Sequence, residues 1–101
     1  MFELGKRAYK EVGFDGDWKN HIQGGIVSYK PREILSDGVT NFVLKSGYLM
    51  GWNPTIPGAK SEDMILIGQN GIQQLSIDKN WPISEISINN KNYLKPKILE
   101  L

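Results

Sequence analysis

"DMILIGQNGIQQLSI", residues 63 to 77, sets an apolar run against a second β-favouring run across the four residues Gly68, Gln69, Asn70 and Gly71. Asparagine and glycine accept the positive backbone angles that tight reversals need, so this stretch predicts a hairpin. Ile72, Leu75 and Ile77 are its expected inward residues. If 63 to 77 is a hairpin, its neighbours must supply further strands, because a lone two-stranded ribbon is marginal in water.

Upstream, "TNFVLKSGYLMGW" (40 to 52) is rich in β-branched and aromatic residues, with Gly47 expected as a bulge or bend. "GGIVSYK" (24 to 30) reads as an earlier strand that stops at Pro31, which has no amide proton to give to a ladder, and Gly24 and Gly25 read as a turn before it. Downstream, "ISEISI" (83 to 88) and "YLKPKILEL" (93 to 101) are joined by the turn-forming "NNKN". Ile83 is out of phase with Ile86 and Ile88, so a bulge near Ser84 or a later strand start is expected.

The first dozen residues allow two readings. Leu4, Ala8 and Val12 fall four apart, which predicts one face of a short helix ended by Gly13, with Gly5 counting against it. The rival is a strand from Arg7 to Phe14 turning at Asp15 and Gly16. About six short antiparallel strands, with that helix at most, predict a β-rich small barrel or sandwich. No repeat and no Ser-, Gly- or Pro-rich linker divides the 101 residues, so residues 1 to 101 are read as one domain.

Composition excludes several functions. The 40% hydrophobic and 23% charged fractions suit a folded globule rather than a disordered chain. Without cysteine there is no disulfide, no thiolate nucleophile and no cysteine-held metal. No apolar run reaches membrane-spanning length and no leader is apparent, so a soluble, cytoplasmic protein is expected. A net charge of +1 is too small to attract phosphate backbones by long-range field alone.

Catalytic constellations are missing from the sequence. The single histidine, His21, follows Asp15 and Asp17, but counting from Asp15 places Ile26 where a calcium loop requires glutamate. The stretch reads instead as a solvated turn whose aspartates cap local amides. There is no phosphate-binding glycine loop, and neither Ser28 nor Ser46 sits in a nucleophile elbow. The chain is therefore expected not to be an enzyme, with no cofactor and no metal.

What remains is contact. "NPTIPGAKSE" (53 to 62) carries two prolines that stiffen it, a glycine that permits a turn, and Ile56 and Lys60 between Trp52 and the strand that follows. With Tyr48 and Trp52 ahead of it and Trp81 before Pro82, it forms the expected partner-binding surface: Tyr48, Trp52, Ile56, Lys60 and Trp81. The expected function is a non-catalytic module acting through a protein partner, of the accessory, inhibitor, immunity or phage-structural kind. The alternative is a small β-barrel that binds nucleic acid or a nucleotide by stacking on Tyr93 amid Lys91, Lys95 and Lys97. Unpaired strand edges also leave a homo-oligomer open.

Overall fold

The computed structural model describes residues 1–31 and 33–101. Along the chain come α1 (Phe2–Glu11) and a short 3-10 turn (Asp17–Asn20), followed by nine strands among the described residues. These are β1 (Gly24–Val27), β2 (Ile34–Leu35), β3 (Leu49–Trp52), β4 (Thr55–Ile56), β5 (Ala59–Lys60), β6 (Asp63–Ile67), β7 (Ile72–Gln74), β8 (Ile83–Ile88) and β9 (Lys91–Pro96). The hairpin expected over 63 to 77 is β6–β7, its turn closed by the Gly68 amide donating to Gly71 O at 2.7 Å.

Five strands form one antiparallel sheet in the order β2-β1-β3-β6-β7, while β4–β5 and β8–β9 are separate two-stranded ribbons. The β-rich composition with an N-terminal helix matches expectation. The barrel does not: this sheet is open, ending at β2 and β7. Closure needs long strands that tilt and stagger through a common register, and here the end strands are two and three residues long.

Register places the core. Ile26 lies opposite Met50, and Met50 opposite Ile65, so all three share one face. Met50 is 2% exposed and Ile26 6%; with Tyr9 they are the buried apolar side chains among the described residues. Gly25 and Gly51 share the other face with Met64, leaving a shallow trough of about 300 Å³ beside Val27 and Pro31. The Gly24–Gly25 pair, expected as a turn, lies inside β1. A Cβ on Gly24 would overlap Gly51 O, and one on Gly25 would overlap Ile34 O, so both glycines serve close approach of neighbouring backbones.

The helix reading of the N-terminus holds, with its end as expected. Gly13 (φ +86°) donates its amide to Lys10 O at 3.1 Å, and Phe14 N donates to Tyr9 O at 2.9 Å. That is the Schellman arrangement, which needs a residue tolerant of left-handed backbone at Gly13. The stripe whose spacing predicted the helix is the exposed one, however. Tyr9 points inward, whereas Leu4 and Val12 are each 61% exposed. Phe2 meets the Trp18 ring edge-on at 5.4 Å, and Lys6 and Lys19 approach that same ring, so the 3-10 turn packs on the start of α1.

Other expectations change for related reasons. Residues 40 to 48 form no strand although their composition favours one, and β3 begins only at Leu49. Gly47 (φ +91°) sits in a turn rather than a bulge, and the Tyr48 amide donates to Lys45 O. Ahead of this, Asp37 Oδ1 accepts the Thr40 and Val39 amides at 2.8 and 3.0 Å, which holds its carboxyl below the ordinary carboxylate range. Ile72 and Leu75, expected inward, are 43% and 46% exposed because β7 is the sheet's end strand; Ile77 is half-buried.

β8 runs unbroken from Ile83, opposite Pro96, to Ile88, opposite Lys91, so no bulge occurs at Ser84. Neither face of this ribbon is fully buried, and the alternation therefore has no single core face to obey. β9 starts at Lys91 and ends at Pro96, leaving 97 to 101 without strand. Polar ties join the ribbon to the sheet. The Gln74 side chain accepts the Leu94 amide at 2.9 Å and donates to Leu94 O at 2.8 Å, standing in for a strand neighbour. Lys95 pairs with Asp63 and donates to Ser61 Oγ at 2.9 Å. Trp81 Nε1 donates to Lys97 O at 2.8 Å.

Candidate functional site

The segment 53 to 62, expected as a loop, is a miniature hairpin. Pro57 and Gly58 (φ +84°) link β4 to β5, proline presetting the first turn position and glycine supplying the positive angle of the second. The Ser61 amide donates to Pro54 O at 3.1 Å and closes the base. Two-residue strands leave no period to read, so the sequence showed the turn without the ribbon.

Tyr9 fixes this hairpin against the helix. Its hydroxyl accepts the Thr55 amide at 2.7 Å and lies 2.9 Å from Thr55 O and 3.0 Å from Gln23 Oε1, which share its single proton. Buried Gln23 donates in turn to Trp18 O at 2.9 Å and His21 O at 3.1 Å. Helix, 3-10 turn and hairpin thus meet at one satisfied buried network. Among the described residues no buried side-chain nitrogen or oxygen lacks a partner.

Between helix and hairpin runs an open groove of about 320 Å³. Gly5, Ala8 and Val12 form one wall, Pro54, Ile56 and Ala59 the other, with Trp52 between them and Lys60 and Ser61 at one end. Gly5, which weakens the helix in isolation, gives the Trp52 ring close access to it: a Cβ there would stand 3.0 Å from Trp52 Cζ2, tight enough that the ring would have to shift. The lining is almost wholly apolar, a rigid slot suited to an apolar side chain.

Trp52, Ile56 and Lys60 therefore come together as the sequence expected. Trp81, 41% exposed, borders a second cavity of about 350 Å³ that shares Lys60 and Ser61 with the groove. Tyr48 stands apart, half-buried at the far end of β3, with its carbonyl accepting the Ile67 amide at 2.9 Å. Ala8 and Val12 were missed as site residues, although their spacing with Leu4 is what predicted the helix. Read as an outward stripe, the same spacing would have found them.

Lys91, Tyr93 and Lys95 alternate along β9 and so share one face of the ribbon, but they border different cavities. Lys91 and Tyr93 line a cavity with Asn70, Gly71 and Gln74, while Lys97 borders the Trp81 cavity. Lys95 is occupied by Asp63 and Ser61. Among the described residues no three of His, Asp and Glu could hold a metal ion, so Asp15, Asp17 and His21 do not converge on one. No helix among them is long and apolar enough to cross a membrane. Compared with protein-family models, with curated proteins and with solved structures, the chain matches none.

Proposed function

We propose that this protein is a non-catalytic binding module that receives an apolar anchor of a protein partner in the groove between α1 and the β4–β5 hairpin. The supporting observation is the groove itself: an apolar slot beside Trp52, walled by a helix face and a proline-stiffened hairpin whose relative position the Tyr9 network fixes. Preset walls lower the ordering cost of binding, and a half-buried aromatic such as Trp52 between them is the kind of residue on which binding energy concentrates. The exposed Leu4, Ala8 and Val12 stripe extends the same apolar surface along the helix. Lys60, paired with the exposed Glu62 at 2.7 Å, sits at the rim, where charge adds selectivity more than affinity.

The test is substitution inside and outside the slot. A partner captured from lysate and identified by mass spectrometry is titrated against the wild type, Ile56→Asp and Ile98→Asp. Ile98 is 87% exposed and lies outside the groove. Ile56→Asp should weaken binding by at least about 30-fold, as expected for a hot spot of about 2 kcal/mol or more, and Ile98→Asp should leave it unchanged. Equal affinities for all three would remove the groove from the function.

A further inference from the structure

We propose that β8 pairs antiparallel with β8 of a second copy of this chain, about a two-fold axis that sets Ile86 against its own counterpart. β8 has one neighbour, β9, and its other edge is open. The outward groups follow from the turn. Asn89 and Asn90 have φ of +50° and +63°, the signature of a two-residue type I′ turn, which closes on a hydrogen-bonded pair, here Ile88 and Lys91. Hydrogen-bonded pairs then recur at Ile86 with Tyr93 and Ser84 with Lys95, so the amides and carbonyls of Ile83, Glu85 and Ser87 face away from β9.

The rest of the ribbon obeys that alternation. On β9 the outward residues are Asn92, Leu94 and Pro96; Leu94 uses its outward groups on Gln74, and Pro96 has no amide to satisfy. β9 is thus the covered edge and β8 the uncovered one.

β8 also lacks the usual guards against pairing. Six residues long, it contains no proline and no lysine and has one charge, Glu85. Ile86 and Ile88 are 43% and 53% exposed. Self-complementarity selects a second copy as the occupant. Centring the axis on Glu85 would oppose two carboxylates, whereas centring it on Ile86 sets Ile86 against Ile86, Ser84 against Ile88 and Glu85 against Ser87. In that register the two Glu85–Ser87 pairs exchange the outward backbone hydrogen bonds.

The surface leaves room for such a contact. A monomer of this mass should expose roughly 5,800 Å², yet this chain exposes 7737 Å². The difference, summed over the whole chain, exceeds the roughly 800 Å² per partner of a standard interface.

Sedimentation and oxidative cross-linking test the pairing. The wild type should sediment at twice its 11.4 kDa chain mass, and Ile86→Lys, which brings two ammonium groups together at the axis, should weaken the dimer roughly 10-fold or more with an unchanged circular dichroism spectrum. Because the chain has no cysteine, single thiols report the register directly. Ile86→Cys should form a covalent dimer on oxidation, its α-carbons being about 4.5 Å apart in a non-hydrogen-bonded pair. Ile88→Cys should not, since the two copies of that position stand about 13 Å apart along the strands. A monomer at every concentration reached, a dimer indifferent to Ile86→Lys, or equal cross-linking at both positions would each overturn the proposal.

Discussion

The helix-and-sheet junction and the β8–β9 ribbon use similar residues and are held in opposite ways. At the junction Met50, Ile26 and Tyr9 are removed from water, and the polar atoms beside them are satisfied inside. In the ribbon Ile86 and Ile88 remain exposed, and attachment rests on Gln74, the Lys95–Asp63 pair and the Trp81 indole. Burial of apolar area is the larger and less condition-dependent term, while partly exposed polar ties are worth about a kcal/mol or less each. The junction should therefore set global stability and the ribbon should open locally, which also keeps β8 available to a partner strand.

The strongest challenge to that division is Met50→Ala. Removing a fully buried side chain from a site enclosed by three strands should cost about 2–5 kcal/mol, a large part of the stability of a domain this size. Urea denaturation should show the midpoint fall with the slope retained. A loss under about 1 kcal/mol would mean that the sheet's Met50 face is not the principal core.

Tyr9→Phe asks how much of the junction is polar. The ring stays, but the Thr55 amide and carbonyl and Gln23 Oε1 lose their shared partner. The expected cost is about 1–3 kcal/mol, with the groove loosened on its hairpin side. Thermal unfolding reads the first effect and titration of the groove's partner the second. A destabilised variant with undiminished partner affinity would show that hairpin position does not control the slot.

How far the sequence disclosed this arrangement depends on whether the signal was local. The Gly68–Gly71 turn, the Gly13 helix end and the Pro57–Gly58 reversal are set by residues with special backbone freedom, and all three are legible. The stretch 40 to 48 has strand composition without strand structure, because β propensity describes fitness for a pleated surface and these residues are given no neighbour to pair with. The helix's inward face was not legible, because periodicity identifies a helix without saying which stripe is covered. Gly5 is the clearest non-local case: its role lies in the Trp52 ring, which no neighbouring residue announces. For the site, the aromatic and proline content of 52 to 60 marked one wall, and the opposing wall depended on where the helix docks.

Gln74→Leu gives the smallest global effect and the finest discrimination between the two regions. It leaves the Leu94 amide and carbonyl without their side-chain partner and leaves Met50 itself untouched, although position 74 lies opposite Ile65 at the margin of that face. The amides of Ser84, Ile86, Tyr93 and Lys95, which report opening of the β8–β9 ladder, should exchange with solvent about 10-fold faster, equivalent to roughly 1.4 kcal/mol of local opening. Those of Ile26 and Met50 should be unchanged. A junction and ribbon accelerated by the same factor would instead make them one cooperative unit, with the polar ties stabilising the whole fold rather than only fastening an appendage. That outcome would also bear on β8, since a strand that opens only with the whole molecule presents a fixed edge, and its pairing with a second copy would then stabilise the entire chain.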